Sequence, residues 1–172
     1  KFDSSEIEQI RNAFCHEHQI DAKQKLVFIH PGCGGSANNL SSEQYAELGR
    51  NLTSKQGHHI IISAGPGEID QAEVVAKGFG DDTPHTVYHS TEGLKRFAQH
   101  IAFADLFISG STGPLHIAGA LNCNTAAFYP RRRSATALRW QTTNQENKRL
   151  AFSPAEGAEQ EDMLSIDTTK VA

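Results

Sequence analysis

Apolar positions recur along the chain in two alternating registers. Over residues 4–19, Ile7, Ile10 and Phe14 return at spacings of three and four, which predicts an amphipathic helix that Asp3 or Ser4 could cap. Leu26-Val27-Phe28-Ile29 is instead a continuous β-favouring run ending at His30-Pro31-Gly32, the pattern of a parallel strand covered on both faces. A loop rich in Gly, Ser and Asn, from Pro31 to Asn39, leads into Leu40-Ser41-Ser42-Glu43-Gln44-Tyr45. There Ser41 and Gln44 stand at the spacing of a capping box, and Leu40 and Tyr45 at that of a hydrophobic staple. Tyr45, Leu48 and Leu52 supply the inward stripe of the helix that follows.

The cycle then repeats. His59-Ile60-Ile61-Ile62-Ser63 reads as a second buried strand, closed by Gly65-Pro66-Gly67 and followed by a helix from Glu68 to about Lys77. Thr86 to His89 reads as a short third strand, Leu94 to Ala104 as a helix, and Leu106-Phe107-Ile108 as a fourth strand. Pro114 to Leu121 is a helix and Thr125 to Tyr129 a fifth strand. After Pro130 the pattern loosens, with Arg149 to Phe152 and Met163 to Ile166 as short strands in a polar tail. Such alternation requires right-handed crossovers and predicts an α/β domain: a Rossmann-like, doubly wound parallel sheet with helices on both faces.

Composition narrows the classes of function. Sixteen basic against twenty acidic side chains give a formal charge of −4, a field that opposes nucleic acid, so a phosphate ligand has to be held by local groups. The longest apolar stretches, 26–29 and 101–108, fall far short of the roughly 20 residues of a membrane span. Neither a transmembrane segment nor a signal peptide is expected. Cys15, Cys33 and Cys123 suit neither a disulfide framework nor a Cys-x-x-Cys site, which favours a reduced, cytoplasmic setting. The pairs His16/His18 and His58/His59 lack the i, i+4 geometry that aims two rings at one ion, so no metal is expected.

The residues with chemistry fall at the carboxyl ends of the predicted strands, where open parallel sheets bind ligands. Gly34, Gly35 and Ser36, with Asn38, follow the first strand, and Gly65-Pro66-Gly67-Glu68 the second. Ser109-Gly110-Ser111-Thr112-Gly113-Pro114 follows the fourth. Glycine lets backbone amides approach an anion, serine and threonine add hydroxyl donors, and Pro114 suits a first helical turn whose free amides face a phosphate. Glu68 is placed to accept hydrogen bonds from ribose hydroxyls, or else to favour a helix start. His116, in the first turn of its helix, can reach a phosphate or simply pack, and Arg131, first of three arginines after the fifth strand, can neutralise a diphosphate. Neither a P-loop nor a full G-x-G-x-x-G is present, which disfavours a kinase or a dehydrogenase.

His30-Pro31-Gly32, Gly65-Pro66-Gly67-Glu68 and the run Ser111-Thr112-Gly113-Pro114-Leu115-His116-Ile117-Ala118-Gly119-Ala120-Leu121 together resemble the C-terminal half of glycosyltransferase family 9, the lipopolysaccharide heptosyltransferases, from about Lys25 to Pro154. The resemblance implies one half of a GT-B enzyme that transfers heptose from ADP-heptose to the lipopolysaccharide inner core. It needs no cofactor and acts in the cytoplasm, or peripherally at the inner face of the Gram-negative inner membrane. It also implies that Glu68 contacts the donor ribose, while Ser111, Thr112, Gly113 and His116 line the diphosphate and sugar. Residues 1–24 then read as linker and leading helix, and 25–172 as the donor domain. The acceptor domain with its general base lies outside the chain, leaving the fragment inactive alone. Many members carry a lysine where this chain has Asn38 or Asn39 and an aspartate where it has Ser111, so an arginine of 131–133 is expected to supply charge. A non-catalytic nucleotide-binding module, and another sugar-nucleotide enzyme of this fold, are the alternatives.

Overall fold

The computed structural model describes residues 1–34, 39–131, 140–159 and 162–171. Strands β1 (Leu26–His30), β2 (His59–Ala64), β3 (His85–His89), β4 (Leu106–Gly110), β5 (Thr125–Phe128) and β6 (Arg149–Phe152) form one sheet in the order β3-β2-β1-β4-β5-β6. Every neighbouring pair is parallel, with Phe28 of β1 opposite Ile61 on one side and Phe107 on the other. Parallel neighbours need crossovers. Helices α2 (Ser42–Gln56), α3 (Ile69–Lys77), α4 (Leu94–Ala102) and α5 (Gly113–Ala120) provide those from β1 through β5, and α1 (Ser4–Glu17) precedes β1. The winding reverses between β1 and β4, which opens a crevice at their carboxyl ends.

Residue parity sorts the core into two layers, because successive side chains of a strand point to opposite faces. Val27, Ile29, Ile60, Ile62 and Ile108 pack under Tyr45 and Leu48 of α2 and Val75 of α3. Leu26, Phe28, Ile61 and Phe107 pack under Phe14 of α1, Phe97 and Ile101 of α4, and Leu115 of α5. With helices on both faces, β1 and β2 are buried throughout, the reason for their unbroken apolar runs. Helix α1 belongs to this packing. Its Arg11 donates to the carbonyls of Phe103 (3.0 Å) and Gln24 (2.8 Å) and pairs with Asp105 at 3.3 Å.

The helix starts follow local chemistry. Asp3 caps α1 by accepting from the amides of Ser5 and Glu6. Ser41 and Gln44 form the expected reciprocal capping box, with Leu40 and Tyr45 both buried behind it. Beyond β5 one expectation is corrected. Residues 163–166 are not a strand but a 3-10 turn, Met163–Ser165, closed by the amide of Ile166 donating to the Met163 carbonyl at 3.3 Å. A three-residue spacing brings Met163 and Ile166 to one side, where both join the core under α2, and the Gln44 side-chain Nε2 donates to the Met163 carbonyl at 3.0 Å. Arg149 to Phe152 does form a strand, β6, at the sheet edge.

Candidate functional site

The turns after β1, β2 and β4 converge around one cavity of about 480 Å³ at the carboxyl ends of their strands. Gly34 comes from the first, Glu68 from the second, and Ser111, Thr112, Gly113, Pro114 and His116 from the third. Gly35, Ser36 and Asn38, and the arginines 132 and 133, lie outside the described residues. Arg131 is exposed just past β5 and is not among the residues lining the cavity. The neighbouring Asn39 is committed to the scaffold. Its Oδ1 accepts from the Tyr45 hydroxyl (2.6 Å) and the Leu40 amide (2.8 Å), while its Nδ2 donates to the Pro31 carbonyl (2.9 Å). Gly110 at the end of β4 leaves the room Asn39 needs, since a Cβ there would stand 2.6 Å from its Oδ1.

Glu68 precedes α3 but makes no side-chain cap. Its carboxylate instead joins two turns, Oε1 accepting from the Gly34 amide at 3.2 Å and Oε2 from the Gly65 amide at 3.0 Å. His30 Nε2 stands 3.4 Å from the same Oε2. The imidazole, opposed by burial and helped by the two amides, holds the carboxyl down at about 2, against 4.5 for a free glutamate. A depressed acid adds stability that is whole above the unfolded value and is lost as pH falls through the folded one. Wild-type protein is therefore expected to lose stability relative to Glu68→Gln between pH 4.5 and 2, read as chemical-denaturation midpoints. A difference that does not change across that window would refute the assignment.

The third turn is a helix start aimed at the cavity. Thr112 caps α5, its Oγ1 accepting from the Leu115 amide at 3.5 Å and lying 3.0 Å from Ser109 Oγ. Pro114 has no amide and Leu115 has spent its own on the cap, so the first-turn donor left for an anion is Gly113. His116, one turn in, has its ring 6.3 Å from that of Trp140. Trp140 and the apolar pair Leu94 and Phe97 also line the cavity. Sequence reasoning missed these three because an apolar residue at a helix start reads as core, and Trp140 lies beyond the last periodic segment. Leu94, Phe97, Gly65 and Pro66 extend into an adjoining apolar slot of about 350 Å³ reaching Ser90 and Thr91. Among the described residues no group of three or more His, Cys, Asp or Glu could hold a metal.

A parallel sheet of this order with three glycine-bearing turns on one cavity is shared by many nucleotide-binding folds, so the pattern of the whole sequence decides the family. The pattern of glycosyltransferase family 9 (heptosyltransferase) matches residues 4–163. The chain belongs to glycosyltransferase family 9. The match takes in α1 as well as the 25–154 span over which the motifs lie. A Haemophilus influenzae relative, provisionally named a glycosyltransferase, is 40% identical over 169 residues, covering 96% of this chain and 49% of its own length. Lipooligosaccharide heptosyltransferase 2 of Campylobacter jejuni is 27% identical over 125 residues, 70% of this chain and 39% of its own. Thus this family 9 chain spans about half the length, or less, of the curated relatives it matches. In fold it is similar to the E. coli ADP-heptose lps heptosyltransferase II structure, with a TM-score of 0.78 at 15% identity over 99% of this chain and 50% of that one.

Proposed function

We propose that this chain is the donor-binding half of a heptosyltransferase, holding ADP-heptose for transfer to the lipopolysaccharide inner core. The observation that carries the reading is the convergence of Glu68, the amides of the first two turns and the start of α5 on one cavity. A nucleoside diphosphate sugar matches that inventory. Its ribose meets the one fixed carboxylate, its diphosphate the Gly113 amide and His116, and its base the apolar slot beside Pro66, Leu94 and Phe97. The family and the names of the heptosyltransferases similar to this chain, one of them for ADP-heptose, support heptose and an adenine nucleotide.

In the transfer, the α5 amide and His116 stabilise charge developing on the leaving diphosphate. Inversion also needs a base to take the acceptor hydroxyl proton. Glu68, tied by two amides and an imidazole and held low, is a poor base, so that group comes from the remainder of the full-length protein, which also meets the acceptor. The protein works in the cytoplasm or at the inner face of the inner membrane. Calorimetric titration of this chain is expected to detect ADP binding and a clear preference for ADP over UDP. No heat of binding at about millimolar ADP would overturn the reading, and preference for UDP would favour another sugar-nucleotide enzyme.

A further inference from the structure

We infer that His30 is the positioning residue for the ribose-binding carboxylate, with Ser63 holding the imidazole in the tautomer that task requires; this rests on the donor reading above. His30 ends β1 and is 2% exposed, its ring 5.8 Å from that of Phe97 and stacked at 6.3 Å on Phe107. Those rings keep the imidazole in the plane that brings its two nitrogens to two different partners. Nδ1 lies 3.1 Å from the hydroxyl of Ser63, a fully buried residue of β2, and Nε2 lies 3.4 Å from Glu68 Oε2. Ser63 Oγ lies farther, 3.5 Å, from the Ile29 carbonyl; when it donates across the shorter contact to Nδ1, the proton of a neutral ring resides on Nε2, the nitrogen beside the carboxylate.

The acceptor count then says what remains for a ligand. A carboxylate offers about four acceptor positions, two on each oxygen. Among the described residues, Oε2 meets the Gly65 amide and the 3.4 Å approach of His30, while Oε1 meets the Gly34 amide, which leaves one position on Oε1 for the ribose. The Gly34 and Gly65 amides and His30 hold the carboxylate in this orientation, in room that Gly32 and Gly65 leave open, since a Cβ on either would come within 2.3 and 3.0 Å of its atoms. His30 therefore fixes which oxygen is offered to the ribose. One open position accepts one strong hydrogen bond, so the site distinguishes the two ribose hydroxyls from each other.

The test measures binding of ADP, 2′-deoxy-ADP and 3′-deoxy-ADP to this chain, and the titration of Glu68 by carboxyl-carbon NMR. In the wild type one deoxy nucleotide is expected to bind about tenfold more weakly than ADP and the other to change much less. His30→Phe keeps a stacked ring but donates nothing, and is expected to erase most of that difference and raise the Glu68 titration. His30→Gln, whose amide nitrogen reaches where Nε2 stood, is expected to restore both. Ser63→Ala is expected to move both readouts in the direction of His30→Phe by a smaller amount, and it serves where the phenylalanine variant does not fold. A merely structural histidine would lower stability without changing the ratio of ADP to deoxy-ADP affinity. An unchanged ratio and an unchanged Glu68 titration in His30→Phe would overturn the inference. Failure of the wild type to bind ADP at all would overturn the donor reading and the ribose part of this one, while the titration still decides whether His30 anchors Glu68.

Discussion

Phe28→Ala is expected to destabilise the fold by about 3–5 kcal/mol, the usual loss when a large aromatic leaves a core that cannot close up behind it. Phe28 is wholly buried in the central strand β1, between β2 and β4. Its ring lies 6.3 Å from Phe14 of α1, 5.8 Å and edge-on from Phe103, and 6.5 Å and stacked on Phe107. Those three neighbours are carried by a helix, the end of another helix and an adjacent strand, and a void under all of them is filled only by shifting whole elements. Domains are typically stable by roughly 5–15 kcal/mol, so the variant sits near the edge of folding. Equilibrium urea unfolding checks this through the transition midpoint at constant slope. A loss below about 1 kcal/mol would mean that α1 and α4 relax inward and do not form a rigid layer.

The second large effect is expected at Gly32, where the added methyl group of Gly32→Ala would stand 2.3 Å from Glu68 Cδ and 2.4 Å from both carboxylate oxygens. Backbone dihedrals play no part, since Gly32 is not among the glycines with positive φ. Something has to move, and the carboxylate is the mobile partner. Turning away, it abandons the amides of Gly34 and Gly65 and the approach of His30. The substitution should cost roughly 1–3 kcal/mol of stability and weaken ADP binding at least about tenfold. In a Glu68→Ala background the same change should cost much less, because the group it collides with is gone. A double-mutant cycle measures that coupling. Equal costs in both backgrounds would show that the crowding at Gly32 comes from elsewhere.

Gly32 also separates what the residues announce from what the fold decides. In a loop after a buried strand, a glycine reads as room for an amide to approach an anion. Its room is taken by an internal anion, Glu68, thirty-six positions away in the chain. Glu68 likewise stands where a ribose-binding or helix-favouring acid was expected, yet its nearest partners come from β1 and two turns. Leu94 and Phe97 were legible as an amphipathic helix, but not as the apolar wall of the candidate site.

What the sequence determined by itself was everything governed by neighbours close in the chain: the alternation of strands and helices, the buried runs of β1 and β2, the Ser41–Gln44 capping box, and the start of α5 at Thr112-Gly113-Pro114. These depend on periodicity and on hydrogen bonds spanning a few residues, which the order of residues encodes directly. The convergence of the three turns was also expected from the chain; only the tertiary structure decided which apolar side chains wall their cavity, that residues 163–166 close a core edge as a 3-10 turn, and that Ser63, His30 and Glu68 stand next to one another. The order of strands in the sheet sets those distances, and contacts between residues tens of positions apart leave no periodic trace in the chain.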